Sequence, residues 1–264
     1  MKQSLARLAL RGMLPALARH PDGFHRLLGA AVRLQLGRMS DDQFREEFDA
    51  YYRDVDRPAL MRAIDFDAKR DRLDRPGGYK VPVTGWAGDS TGWRRRVSPW
   101  GRRFGLLGRF GIRSDVLVLR RGGQVPPHGH HRVVSGFYVL DGEVAVRHYD
   151  RVRETGSGVV VRKVLDAVLG PGGFTTNSER HHNIHWLAGR AATSYLFRLT
   201  VAGTPVVPFG TAAGTSERVY LDPTGPPDES GLITAPFVTE AVAKAIAFTA
   251  SSATPQARAG VAAP

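Results

Sequence analysis

The chain has 264 residues, enough for one large domain or for a core domain with extensions. It contains no cysteine, which excludes disulfides, thiolate metal sites and cysteine nucleophiles, so any metal must be held by His, Asp, Glu or backbone oxygen. The net charge of +12 is almost all arginine, since lysine stands only at 2, 69, 80, 163 and 244; Ala and Gly are equally abundant, so the charge alone does not argue for nucleic acid.

Residues 1–75 form a helical N-terminal extension by their pattern. Leu5, Leu8, Ala9, Met13 and Leu17 recur at three- and four-residue steps, followed by Phe24, Leu27, Leu28, Ala31 and Leu34. The first helix has no acid in its first 20 residues, yet Arg7 and Arg11 interrupt any signal-peptide core. A helix packed on the protein or on a second subunit is favoured over membrane-surface contact, and the default compartment is the cytoplasm. In "SDDQFREEF" Ser40 and Gln43 make a capping box for a third helix, with Phe44, Phe48, Tyr51 and Val55 as its apolar stripe and Pro58 breaking or restarting it.

Residues 76–112 are an Arg/Gly/Trp-rich irregular connection with one short strand. Its run "GWRRRVSPWGRRFGLLGRF" interleaves basic and aromatic residues as nucleic-acid surfaces do, but it equally fits β-structure in an arginine-rich chain, and nucleic acid is not favoured. From Asp115 the pattern changes to short alternating segments: 116–120, 133–140, 143–149, 158–165, 183–188 and 193–201. The turns between them carry Gly122-Gly123, Asp141-Gly142, Gly156 and Pro171-Gly172-Gly173. Short strands with no helices between them predict an antiparallel sandwich or barrel over 113–203. A return segment and a C-terminal helix at roughly 235–249 complete 204–250, and 251–264 has the composition of a disordered tail.

Seven of the nine histidines lie between 128 and 185. Residues two apart on a strand face the same way, so His128 and His130 converge while His131 faces away. In the second cluster His185 sits within the apolar strand "NIHWL" and is the better third ligand. His181 and His182 lie in a turn and compete with it for that role.

These residues carry a resemblance. "GGQVPPHGHHRVVSGFYVLDG" resembles the first cupin motif, with Gly122, His128, His130 and Gly142 in their places. "GPGGFTTNSERHHNIHWLAG" is similar to the second, with its Gly-rich turn and late histidine. The resemblance spans roughly 115–201 and implies a mainly β fold, the cupin double-stranded β-helix or jelly roll, here with an α-helical N-terminal extension and a short C-terminal helix. Where most cupins carry a glutamate ligand, this chain has Val134 and Ser135, which leaves a shell of three neutral imidazoles from His128, His130 and His185. That pattern resembles the thiol dioxygenases, the cysteine and cysteamine dioxygenase type. The resemblance implies Fe(II), with Mn, Ni, Cu or Zn as alternatives, and incorporation of O2. Where cysteine dioxygenase carries Ser, His and Tyr, "TSYLFRLTV" places Ser194, Leu196 and Arg198, of which only the serine is shared.

Three neutral ligands leave a divalent charge uncompensated and open positions for an anionic substrate beside O2. The expected activity is therefore Fe(II)-dependent dioxygenation of a small anionic metabolite, a thiol or a carboxylate. Arg198 or Arg147 would neutralise its carboxylate, and Tyr195 and Ser135 are further substrate candidates. Phe137, Val139 and Leu187 would wall the pocket, with Tyr138 pointing out. A lyase or isomerase acting without O2 is the first alternative, with Tyr149, Tyr195 or His148 as its base. A non-catalytic ligand-binding or regulatory cupin is the second, and a homodimer is expected on cupin habit alone.

Overall fold

The computed structural model describes residues 24–35, 37–83, 111–130, 133–202 and 218–249. The expected first helix, the connection over 84–110, His131, the return over 203–217 and the tail lie outside the described residues.

Four helices come first: α1 (Phe24–Gln35), α2 (Asp41–Asp54), α3 (Arg57–Ala63) and α4 (Phe66–Asp74). The capping box at the start of α2 is present, with Ser40 Oγ accepting from the Gln43 N–H at 3.1 Å and Gln43 Oε1 accepting from the Ser40 N–H at 2.9 Å. Pro58 restarts the chain as a helix: it sits in the first turn of α3, where its missing N–H costs nothing, and Asp56 caps that turn.

The strands are β1 (Lys80–Pro82), β2 (Gly111–Arg120), β3 (Gln124–His130), β4 (Val133–Asp141), β5 (Val144–Thr155), β6 (Gly158–Leu169), β7 (Phe174–Asn177), β8 (Ile184–Gly189), β9 (Thr193–Ala202), β10 (Arg218–Tyr220) and β11 (Leu232–Pro236). They form a five-stranded sheet in the order β1-β2-β9-β4-β7 and a six-stranded sheet in the order β10-β3-β8-β5-β6-β11. Eight of them follow one rule. β5 pairs with β6, β4 with β7, β3 with β8 and β2 with β9, all antiparallel. One long hairpin, with its tip at Gly156, is thus wound into two facing sheets. That is a double-stranded β-helix, or jelly roll, as the strand grammar and the cupin-like motifs implied.

Three segments differ from expectation. "FTTN" at 174–177 is a strand where the sequence pattern marked none. The C-terminal helix, α5, runs only over Glu240–Ala245, because 232–236 pairs as β11 against β6. Thr239 then starts α5 as its cap. Among the described residues no helix is long and apolar enough to cross a membrane.

Alternation divides each strand between two environments. Leu117, Leu119, Val125, Phe137, Val139, Val144, Val146, Leu169, Leu187 and Leu196 fill the space between the sheets. The other face of the five-stranded sheet is equally apolar, because the helices cover it: Val116, Val134, Tyr138, Phe197 and Leu199 pack with Leu34, Phe44, Phe48 and Tyr52. This double burial is why 133–140 reads as an almost unbroken apolar run. Tyr52 pins the contact. It stacks on Tyr138 at 5.6 Å between ring centroids, and its hydroxyl donates to the Gly136 carbonyl at 3.0 Å. A Cβ at position 136 would lie 2.4 Å from Tyr52 Cε2, so glycine is required there. Arg57 donates to the Leu140 carbonyl at 2.8 Å and ties α3 to the end of β4.

Candidate metal centre

His128 and His130 lie on β3, and His185 lies on β8, directly across the ladder from His128. Pro126 and Pro127 have no N–H to give, and the ladder shifts register between Val125 and His128. With that shift, one ring nitrogen from each of the three histidines falls within 4.8 Å of the others. Among the described residues this is the one group of three His, Asp or Glu side chains so placed.

The hydrogen bonds define how the rings are held. His128 Nδ1 lies 2.7 Å from the Pro126 carbonyl, which can only accept, so the proton is on Nδ1 and Nε2 presents a lone pair. That Nε2 faces His130 Nε2 at 3.1 Å. His185 Nε2 is buried with no hydrogen-bond partner, while its Nδ1 lies 3.1 Å from Asn177 Nδ2 and 3.3 Å from the Asn183 carbonyl. Asn183 also donates to the backbone carbonyl of His130 at 3.0 Å, linking the two ligand strands.

Electrostatics keeps His128 and His185 neutral. Burial, followed by the neighbouring His185 and His130, holds His128 well below the ordinary histidine value. Burial lowers His185 to about 3; the Asn183 bond opposes the shift, and the charges of Arg218 and Arg198 add to it. A cluster of imidazoles, two of them held neutral and one with a stranded buried nitrogen, suits a cation. The donor set fits a divalent metal with three nitrogen ligands and open positions.

The remaining predicted residues divide by face. Phe137 faces inward with its ring 5.6 Å from that of His185, and Val139 and Leu187 continue the apolar lining behind it. Ser135 is also inward and buried, and donates to Asn177 Oδ1 from its N–H at 3.2 Å and from Oγ at 2.9 Å. Tyr138 points away from the interior, but into the helical layer rather than into water.

Arg198 faces inward, yet its guanidinium is already forked by a carboxylate. Nε and Nη2 bond the two oxygens of Asp115 at 2.9 and 2.6 Å. Arg147 is not brought to the centre, because it is one step out of phase with Val146 and His148 on β5. It pairs with Asp166 at 3.0 Å on the outer face, lies 4.4 Å from the Phe248 ring centroid and donates to the Thr249 carbonyl at 2.7 Å. Tyr195 is likewise out of phase with Leu196: it packs edge-on against Phe66 at 5.3 Å and donates to Asp74.

Of the three residues considered as a base, Tyr149 packs on the outer face of the six-stranded sheet and is pushed up to about 12 by burial. Only His148 is inward, opposite His185 on the β5–β8 ladder, with ring centroids 6.2 Å apart and Thr175 Oγ1 3.1 Å from its Nε2. His181 and His182 are held elsewhere. His181 Nε2 pairs with Asp42 at 3.0 Å, and His182 has a left-handed backbone (φ 56°) with its ring 5.1 Å from that of His148.

Sequence reasoning missed Asp115, Asn177 and Asn183. Alternation places Asp115 inward, two residues before Leu117, so that signal was readable. Asn183 opens the 183–188 segment in phase with His185, so its direction was readable too, while Asn177 sits in a segment with no such pattern.

No family model matches the sequence, and no curated protein matches it. Solved structures do match. TT1209 from Thermus thermophilus is 20% identical over 52% of this chain and 95% of its own, with a TM-score of 0.31. An uncharacterized conserved protein with a double-stranded β-helix domain from Klebsiella pneumoniae is 10% identical over 53% and 90%, also with a TM-score of 0.31. Hydroquinone 1,2-dioxygenase PnpCD, solved with Cd2+ and 4-hydroxybenzonitrile, is 16% identical over 35% and 58%, with a TM-score of 0.28. The double-stranded β-helix is read from this chain's own strand pairing.

Proposed function

We propose that His128, His130 and His185 hold one divalent metal ion, with Fe(II) preferred over Mn, Ni, Cu or Zn, and that the protein oxidises a small anionic metabolite, a thiol or a carboxylate, with O2. The observation that carries this reading is the convergence of three imidazoles from β3 and β8 with no carboxylate among them, of which His128 and His185 are held neutral by burial. Bound there, such an ion would supply uncompensated positive charge and open positions for substrate and O2 together.

The chain's own residues fit the rest of the task. Phe137, Val139 and Leu187 exclude water from the inner side of the centre. The charges of Arg198 and Arg218 are both felt at His185, a field that favours an anionic substrate. Asp115 fixes the orientation of Arg198, leaving its remaining N–H donors for a ligand. Ser135, where a glutamate ligand would stand in most cupins, binds Asn177 instead and adds no negative charge.

Metal analysis of the purified protein, followed by O2 uptake with a panel of small thiols and carboxylates, tests the proposal. The expected result is about one metal per chain and O2 consumption with one substrate class. Absence of metal after Fe(II) reconstitution overturns it. His148 favours a second reading, a lyase or isomerase, because it is a neutral imidazole beside the centre. Substrate turnover without O2 consumption would select that reading, and ligand binding without turnover a non-catalytic one.

A further inference from the structure

We propose that Asn177 is a positioning residue for His185: clamped by Ser135, its amide keeps the proton of the metal-free ring on Nε2, so the centre loads only when the ring carries its proton on Nδ1 instead. The inference rests on the three-histidine reading above and deepens it.

Ser135 fixes which way the Asn177 amide points. Its backbone N–H lies 3.2 Å from Asn177 Oδ1, and Ser135 Oγ lies 2.9 Å from the same atom. A backbone N–H only donates, so the amide atom facing it is the oxygen, and the amide cannot turn over without losing that bond. Its other end, Nδ2, therefore faces His185 Nδ1, at 3.1 Å. An amide nitrogen only donates, so Nδ1 accepts and the proton of the neutral ring lies on Nε2.

Two further contacts set the balance. The Asn183 carbonyl, 3.3 Å from the same Nδ1, can only accept and so asks for the opposite arrangement; it is the longer contact of the two. Nε2, where the Asn177 clamp places the proton, is buried without an acceptor. The ring is thus held in a form with a protonated nitrogen aimed at the metal position and a ready acceptor for a proton on its other side.

His128 is built the other way. Its Nδ1–H donates to the Pro126 carbonyl at 2.7 Å, which leaves Nε2 without a proton before any ion arrives. One ligand is preset and one is opposed. When His185 engages, Nε2 releases its proton to solvent and Nδ1 takes one up from solvent and donates it to the Asn183 carbonyl, so the ring is neutral before and after. The amide of Asn177 must then give up its contact with Nδ1, since two donors would face each other. Ser135, Asn177, Asn183 and His185 are all buried.

Long-range 1H–15N spectra of the metal-free, full-length protein labelled at histidine read the ring protons directly, with assignments from single His→Gln variants. The wild type should show His128 with Nδ1–H and His185 with Nε2–H. Asn177→Leu removes the opposing donor without adding charge. In that variant His185 should switch to Nδ1–H, and Zn2+ should bind about 10–100-fold more tightly, the range over which partners of ligating histidines act. A wild-type His185 already carrying Nδ1–H overturns the proposal. So does an Asn177→Leu protein that binds Zn2+ equally or more weakly, the behaviour of a residue that merely supports the ring. If the variant does not fold, the wild-type spectrum decides alone. Zn2+ titration of the wild type reads the three-histidine centre separately, so the two proposals fail independently.

Discussion

Removing Asp115 should leave the guanidinium of Arg198 as an unpaired cation between the two sheets. The pair is bidentate, at 2.9 and 2.6 Å, and the two side chains are only 9% and 2% exposed for Arg198 and Asp115 respectively. Breaking one partner of such a pair costs about 3–5 kcal/mol, while replacing both with apolar residues of similar volume is often neutral or stabilising. Against a typical total of about 5–15 kcal/mol, Asp115→Leu removes a large share of the stability. Arg198→Met should also be costly, and the double variant Asp115→Leu/Arg198→Met should lie within about 1 kcal/mol of the wild type.

Urea unfolding of the four proteins at pH 7, compared at equal m-values, gives the coupling energy directly. A loss under about 1 kcal/mol for Asp115→Leu, or additive losses in the double variant, would refute the reasoning. The same set bears on function. Two of the five N–H donors of Arg198 bind Asp115, so an anionic substrate must use the others. Such a ligand should raise the stability of the wild type but not of Arg198→Met.

Three further outcomes follow from the structure. Gly136→Ala should cost about 1–3 kcal/mol by overpacking against Tyr52, read as a lowered midpoint in urea; an unchanged midpoint would mean the helical layer yields freely. His128→Ala and His185→Ala should abolish stoichiometric metal binding, while His181→Ala, which loses only a pairing with Asp42, should retain it; metal analysis separates these results. Stability of the metal-free protein should fall as pH drops below about 6.5. His128, His148 and His185 are held below their ordinary value in the folded state, His185 at about 3, so the unfolded chain binds protons first. Each contributes up to about 1.4 kcal/mol per pH unit across that window, and a flat profile from pH 7 to 4 would contradict the burial of the rings.

The strands readable in advance were those whose pattern is set by their own burial. β4, β5, β8 and β9 alternate or run apolar, and their turns carry glycine. β7 was hidden because "FTTN" puts polar groups on its inner face, where Thr175 and Asn177 meet His148 and His185. β10 and β11 were hidden because each is short and gains its stability from a neighbour. At the centre, residue type and the two-residue period sufficed to select His128, His130 and His185. The inward direction of Arg198 was implicit in the same period, but its partner depends on the register of β2 against β9, which no local pattern encodes. The roles given to Arg147 and Tyr195 required inward positions, and their strand phase places both outside.

The helical layer has a consequence for how this chain can be divided. Val116, Val118, Val134, Tyr138, Leu140, Phe197, Leu199 and Val201 make one continuous apolar surface on the five-stranded sheet, and α1 to α4 are what keep water from it. A fragment beginning at the jelly roll would carry every proposed metal ligand and still be a poor protein. Its uncovered sheet would be an adhesive patch, prone to association and precipitation. The helices are therefore one wall of the same body, and expression trials that trim them as a dispensable leader should yield insoluble material.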